Sequence, residues 1–294
     1  LIADLHHDLI PDADERLGAF LEEAARRSEP LDALIQLGDF ATPRPRNQPL
    51  IDRFNAAHKR VVHVLGNHDT DGGFSREKVV ESWGMAGRYS AHDLEGLRLI
   101  VLDANDRSDP PRPGYPSHVG PEQLEWLRQT ANQPDDHPVI VLSHQPLAGP
   151  VAIDNPHEVA EALKPLADRV VLAINGHTHL DSLVPGPIGR ASCLHLNSAA
   201  YYWVGSMYRH FSYAPGVHDA HRSLELTCPY REGLFAFLTF DPNDGSLRLE
   251  GRGSEWVGLN PEALGMPERP GQTHGEEGTV TPRIRSRRFA APTS

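Results

Sequence analysis

Asp4 and His6, then Asp39, Asn67, His144, and finally His177 with His179 are metal-ligand residue types, each group at the end of an apolar run. The local strings are Ala3-Asp4-Leu5-His6, Gly38-Asp39, Gly66-Asn67-His68-Asp69, Ser143-His144 and Gly176-His177-Thr178-His179. Carboxylates and imidazoles suit Mn, Fe, Co or Zn, and a carboxylate can bridge two cations through its two oxygens. Asn adds a neutral carbonyl oxygen, which limits the negative charge of the site. Ligands from five places suggest a pair of ions about 3.5–4 Å apart, able to hold a bridging hydroxide and two phosphate oxygens. Singly each string is weak, because Gly-Asp is usually a turn and a lone His is more often a core or surface residue. All five in this order, each after a strand pattern, are very improbable by chance.

The elements that must position these residues are those of a layered α/β domain, since the first two thirds of the chain alternate short apolar runs with helical patterns. In such a domain ligands collect outside the carboxyl ends of the strands. Residues 1–3 end a first strand, 33–37 lead into Gly38-Asp39, 61–65 into Gly66-Asn67, 139–142 into His144, and 170–174 into Gly176-His177. Helical spacing covers 12–27, 76–83 and 121–130, and 156–167 is helical with Pro165 ending it early. Glu95-Gly96 joins a hairpin of 89–94 and 97–102, and 241–245 joins another of 234–240 and 247–250. The glycines before Asp39, Asn67 and His177 permit unusual backbone conformations and close approach of the loops to the ions. Residues 1–256 form the domain in this reading, and 257–294, rich in Pro, Gly, Glu and Arg, form an extended tail.

Two segments carry weaker candidates. The long polar loop 103–120 offers Asn105, Arg107, Tyr115 and His118 as substrate contacts. Residues 201–230 are crowded with aromatics and histidines, including Tyr201, Trp203, His218 and His221, which line a pocket or a small satellite core. His7 matches no ligand position and reads as a supporting or exposed residue.

The bulk properties narrow the partners. A net charge of −12 argues against a nucleic-acid or anionic-membrane surface, although bound cations would reverse the local field for a small phosphorylated substrate. No apolar run reaches the roughly 18 residues a membrane helix needs. Cys193 and Cys228 are the only cysteines, so no disulfide framework and no cysteine zinc site exists, and whether the two pair is open. The chain begins at Leu1 within a strand pattern, which fits an exported protein whose signal was removed; a cytoplasmic protein is the other expectation.

The five strings resemble the five blocks of the calcineurin-like metallophosphoesterases: D-x-H, G-D, G-N-H-[DE], a single His after a strand, and G-H-x-H. The likeness spans about residues 1–250 and is closest to bacterial members of the phosphatase and phosphodiesterase type. It implies a four-layer αββα sandwich of two mixed β-sheets flanked by helices. It implies that Asp4, His6 and His179 bind one ion, that Asn67, His144 and His177 bind the other, and that Asp39 bridges them. His68 is no ligand in that family; it sits over the substrate phosphate, where it stabilises charge or protonates the leaving group, with Asp69 orienting it. The cofactors implied are two divalent or trivalent transition-metal ions, Mn, Fe, Zn or Co. The activity implied is hydrolysis of phosphate monoesters or diesters by in-line attack of a metal-bridging hydroxide. Cyclic-nucleotide phosphodiesterase and pyrophosphate-bond hydrolase are the narrower alternatives. A scaffold without catalysis fits poorly, because members of that kind lose ligands and none is missing here. One departure narrows the metal: the purple acid phosphatases place a Tyr three residues after the bridging Asp, and this chain has Thr42, which disfavours a ferric tyrosinate centre.

Overall fold

The computed structural model describes residues 1–289. After the extended residues 1–3 come α1 (Ala13–Arg26), β1 (Leu34–Gln36), α2 (Gln48–Ala56), β2 (Val61–His63) and α3 (Arg76–Trp83). The hairpin β3 (Ser90–Leu94) and β4 (Leu97–Val101) follows, then α4 (Pro121–Ala131), β5 (Val139–Ser143), α5 (Pro156–Ala162) and β6 (Val170–Asn175). The rest is mostly strand: β7 (Ser182–Pro185), β8 (Ser192–His195), β9 (Tyr201–Trp203), the short α6 (Pro215–Ala220), β10 (Thr227–Pro229), β11 (Ala236–Phe240), β12 (Leu247–Gly251) and β13 (Arg287–Phe289).

Local chemistry accounts for the helix ends. Asp14 and Glu15 open α1 and Arg26 closes it, each matching the helix dipole. Ser75 accepts a hydrogen bond from Lys78 N to start α3, and Gly84 in the left-handed region (φ 69°) stops it. Pro121 stands at the first turn of α4, where its missing N–H is no loss. Pro165 ends α5 early, leaving a 3-10 turn over Lys164–Leu166.

The larger sheet runs β3-β4-β5-β6-β8-β7, parallel through β4, β5, β6 and β8, with antiparallel edges. The second sheet is built around residues 1–3. Ile2 bridges Gln36 beside the parallel pair β1-β2, and Leu1 exchanges backbone hydrogen bonds with Ala236 of the β11-β12-β13 meander.

Alternation along the strands sets the layers. In β5, Ile140 and Leu142 face the second sheet and join Ile35, Leu37, Val62 and Leu249 in the central core. Val139 and Val141 face the other way, onto Leu124 and Leu127 of α4 and Val159 of α5. On the far side Leu34, Phe235 and Phe237 pack against Phe20 of α1, Phe54 of α2 and Trp83 of α3. The order is therefore helices, sheet, sheet, helices, as the resemblance implied.

The C-terminal segment returns to this frame. Val280 and Ile284 enter the central core, and β13 pairs with β12. Residues 290–294, the end of the tail, lie outside the described residues. Cys193 and Cys228 are buried and unpaired, and burial pushes both thiols up to about 12. No helix among the described residues is long and apolar enough to cross a membrane.

Candidate metal centre

The strand exits deliver two clusters of ligand atoms side by side. Asp4, His6 and His179 form one, and Asp39, His144 and His177 form the other, the atoms within each lying within 4.8 Å of one another. Asp39 Oδ2 joins the clusters, 3.1 Å from His144 Nε2 and 3.6 Å from His6 Nε2. Asp4 Oδ1 lies 3.3 Å from His179 Nε2 and 4.0 Å from His144 Nε2.

Backbone geometry explains how short strand ends converge. Asp4, His6, Asp39, His177 and His179 all have φ between 48° and 66°. The left-handed region costs a non-glycine residue about 1–2 kcal/mol, so five such residues at one site are a concentration of strain. Main-chain bonds hold the turns: Asp4 N donates to Gly38 O and His6 N to Asp39 O, at 3.1 and 2.9 Å. The glycines divide their expected tasks. Gly38 itself takes φ 91°. Gly66 and Gly176 serve by their lack of a side chain: a Cβ at Gly66 would overlap Asp39, and one at Gly176 would sit 2.5 Å from Asp4 Oδ2.

The donor set fits cations. His144 Nδ1–H donates to Leu37 O and His179 Nδ1–H to Tyr201 O, both at 2.7 Å, so each Nε2 turns a lone pair inward. His179 Nε2 then faces His6 Nε2 at 3.3 Å, and His144 Nε2 faces His177 Nδ1 at 3.3 Å. With the rings neutral, lone pairs and carboxylate oxygens converge here, and Asn67 Oδ1, buried and next to His68 in sequence, has no hydrogen-bond partner. A positive ion is the group that satisfies such a set.

Protonation in the metal-free protein follows burial and Asp39. Burial pushes His177 down to about 3 and His6 well below the ordinary imidazole range. Burial also opposes charge on His144, but the Asp39 carboxylate outweighs it and raises His144 to about 9. Asp39 is itself held well below the usual carboxylate range: burial works against this, and His144 prevails.

His68 stands beside the clusters, its ring 5.4 Å from that of His6, and its backbone N donates to Asp39 Oδ1 at 2.8 Å. Its orienting carboxylate is not the expected one. Asp69 accepts from the backbone N of Gly66, Asp39, Phe40 and Ala41, at 2.7, 3.0, 2.8 and 3.2 Å, and so ties the two loops together. Burial and the Asp39 charge raise Asp69 to about 8. Asp71 is the residue that meets His68, with Oδ2 2.7 Å from Nδ1. Sequence reasoning passed over Asp71, and the available signal was its three-residue spacing from His68 within one 3-10 turn. Tyr115, from the 103–120 loop, lies over His68 with ring centres 4.6 Å apart, and its hydroxyl donates to Asp71 Oδ1 at 2.9 Å.

The other candidates scatter. Asn105 is a buried brace, donating to Leu65 O and accepting from Gln145 Nε2. Arg107 is exposed, and His118 Nε2 pairs with Asn155. His7 contacts Asn47 and Asp14. Thr42 donates its hydroxyl to Asp8 at 2.6 Å. Of the aromatic segment, Tyr201 reaches the centre, its ring 5.0 Å from His6 and 4.8 Å from His179. His218 instead accepts from the backbone N of Ser212 and Tyr213, and His221 bonds Leu9 O. Asp181, two residues past His179, is buried and gripped by Arg285 and Arg287 at 2.8 and 2.6 Å.

Two cavities flank the clusters. One of about 200 Å³ is bounded by His6, Thr42, Arg44, His68 and Asp71. The other, about 320 Å³, is bounded by Tyr115, Gln145, Val151 and His177.

Residues 1–181 match the family model described as calcineurin-like phosphoesterase. Over 204 residues the chain is 28% identical to a cAMP/cGMP dual specificity phosphodiesterase of Mycobacterium tuberculosis, covering 62% of this chain and 61% of the relative. It is 27% identical over 204 residues to a Rhodococcus erythropolis protein called "Probable cyclic nucleotide phosphodiesterase", covering 62% and 64%. The match thus spans less than two thirds of the length of either relative. A crystallised dimetal phosphatase from Danio rerio shares the fold, with a TM-score of 0.56 at 17% identity over 87% of this chain and 96% of that one.

Proposed function

This chain belongs to the calcineurin-like phosphoesterase family, and on that footing we propose that it is a two-metal hydrolase of small phosphodiesters, with cyclic nucleotides among its substrates. The observation that carries the reading is the pair of ligand clusters joined through Asp39, with lone pairs and carboxylate oxygens facing one another. Asp4, His6 and His179 would hold one ion, and Asn67, His144 and His177 the other, with Asp39 shared. The ions, when bound, supply Lewis acidity toward phosphate oxygens and acidify water at neutral pH. Mn, Fe, Zn and Co all suit this ligand set.

The chain's own groups supply the rest. Asp71 accepts a hydrogen bond from Nδ1–H of His68 and favours its imidazolium form, which would give its Nε2 proton to the departing alkoxide and be left neutral with Nδ1–H in place. Tyr115 packs its ring against His68 and donates its hydroxyl to Asp71. A diester is favoured over a monoester by the two cavities, one bordered by His6, Asp39 and His68 and the other by His177, since a diester has a second ester group to accommodate. The names of the two mycobacterial and rhodococcal relatives point the same way.

The test is a paired assay on chelator-stripped protein with manganese restored. Faster turnover of bis-p-nitrophenyl phosphate than of p-nitrophenyl phosphate supports the diesterase, and subsequent hydrolysis of cAMP or cGMP would narrow it. Preference for the monoester makes the protein a phosphatase. Silence on both, with metal bound, removes the hydrolase reading for these ester classes.

A further inference from the structure

Two loops meet beside the metal centre and form the walls of the cavity of about 320 Å³ that His177 also borders. Residues 105–118 supply one wall and 146–155 the other. Asp154 N donates to Ser117 O, Arg112 Nη1 donates to Asp154 Oδ1, and Val119 N donates to Asn155 Oδ1, at 2.6, 2.6 and 3.0 Å. Gln145, from the exit of β5, crosses between them, its Nε2 donating to Asn105 Oδ1 at 2.8 Å and to Pro116 O at 3.2 Å. The walls are thus held in place before any ligand arrives, which lowers the entropy lost on binding.

What the walls present is specific. Tyr115 and Val151 are large apolar groups left 50% and 60% exposed. Val151 also has φ 52°, a conformation that β-branched residues rarely take and that persists where surrounding structure imposes it. Gln145 is 1% exposed, and its Oε1 has no hydrogen-bond partner. The guanidinium of Arg112 is matched by Asp154, so the cavity carries no unbalanced charge for a second phosphate.

We infer that this cavity is the subsite for a ring-bearing ester group of the phosphodiester, of nucleoside type. A flat ring lies against the exposed Tyr115 and Val151, between walls that Gln145 ties together. Because the Tyr115 ring also lies 4.6 Å from that of His68, tilted by 56°, a ring held there sits next to the reacting phosphate. The inference rests on the phosphodiesterase reading above and adds to it the half of the site that selects the substrate.

The experiment compares thymidine p-nitrophenyl phosphate with methyl p-nitrophenyl phosphate, which release the same p-nitrophenolate and differ in the group retained. The expected result is a kcat/KM about tenfold higher for the thymidine ester, carried by KM. Val151→Asp, which Asp tolerates at positive φ, and Ala152→Trp, which fills the cavity, should each bring that ratio down toward one. A wild-type ratio near one, or a ratio unmoved by both substitutions, overturns the subsite. Silence of the wild type on both esters overturns the hydrolase reading instead. The subsite is then decided by thymidine titrated into metal-free protein and followed by ligand NMR. Saturable broadening that Ala152→Trp abolishes supports it, and no broadening with the wild type overturns it.

Discussion

Asp71 Oδ2 lies 2.7 Å from His68 Nδ1, across a single 3-10 turn that begins at His68 itself. The pairing sets the tautomer of the imidazole: with Nδ1–H directed to the carboxylate, only Nε2 is left to face a substrate. Burial opposes a charge on His68, but the hydrogen bond to Asp71 together with the charges of Asp39 and Asp71 outweighs it and raises the imidazole above its ordinary value. Tyr115 braces the same carboxylate from the opposite loop.

Removing this carboxylate should therefore act through the leaving group. Asp71→Asn is expected to slow hydrolysis of an alkyl or phenyl ester about 10–100-fold, the usual effect of losing the partner that orients a functional imidazole. The same substitution should cost p-nitrophenyl esters less, because p-nitrophenolate departs without a proton. Plotting rate against leaving-group pKa for wild type and variant checks this; parallel lines would remove His68 and Asp71 from leaving-group chemistry. Tyr115→Phe, which keeps the ring and loses the hydroxyl, should show the same pattern at a few-fold.

The joined clusters predict coupled metal loss. Asp39 contacts both histidine sets, so Asp39→Ala should lower bound manganese below one ion per chain, whereas His177→Ala should leave the Asp4, His6 and His179 cluster loaded. Metal analysis after gel filtration gives the count. Chelator should also lower the melting temperature, because an ion held at about 100 times its Kd stabilises the native state by roughly 2.7 kcal/mol. A melting curve indifferent to chelator would mean that the clusters bind no ion of consequence.

The candidate ligand residues were legible because their chemistry and their position coincide: Asp, Asn and His each end an apolar run, and strand ends of an α/β sheet gather at one rim. The layers were legible for a related reason, since 99–102 are apolar on both faces, as a strand covered on both sides must be, and the helical pattern of 121–130 declares which face is apolar. Asp71 was hidden because its role depends on the pitch of a 3-10 turn, which no periodicity announces. The left-handed conformation at Asp4, His6, Asp39, His177 and His179 was hidden as well. A glycine beside such positions suggested that it alone takes the unusual φ, while tertiary bonds impose it on the ligands. Segment 257–289 carries few apolar residues, so its return into the core rests on Val280, Ile284 and the arginines at Asp181, contacts between residues far apart in sequence.

Those arginines predict that the C-terminal segment supports the metal centre. The side chain of Asp181 is fully buried, and Asp181 N also donates to Thr279 O at 3.0 Å, so this segment holds the chain just past His179. Replacing both Arg285 and Arg287 by Ala leaves a buried carboxylate without a cation, which should cost about 3–5 kcal/mol of stability. Denaturant unfolding measures this. The same double variant should bind the ion of the His179 cluster more weakly, by about tenfold. Unchanged metal affinity with lost stability would confine the segment to a structural role.

His63 predicts a pH dependence separable from the metal. It is buried between α2 and β1, with Nε2–H donating to Asn55 Oδ1 at 2.7 Å and Nδ1 accepting from Gln36 Nε2 at 3.1 Å. The bond accepted at Nδ1 requires the neutral ring, and burial lowers its pKa from 6.5 to about 4. The sign follows directly. Above pH 6.5 neither state is protonated, and the contribution is fully present. As pH falls from 6.5 toward 4 the unfolded chain binds a proton that the native protein does not, and stability is lost; below about 4 the loss is complete. The shift corresponds to roughly 3 kcal/mol. His63→Gln keeps a donor and an acceptor but cannot titrate, so the stability of the wild type should fall relative to the variant by about that amount between neutral and acid pH. The consequence reaches the site, because Gln36 Oε1 also accepts from Gly38 N at 2.6 Å, next to Asp39. A proton on His63 Nδ1 would turn Gln36 away and loosen the turn that aims the shared ligand. Parallel stability curves for the two proteins across this range would show that His63 charges freely in the native state and that Gln36 Nε2 is held by Val64 O alone.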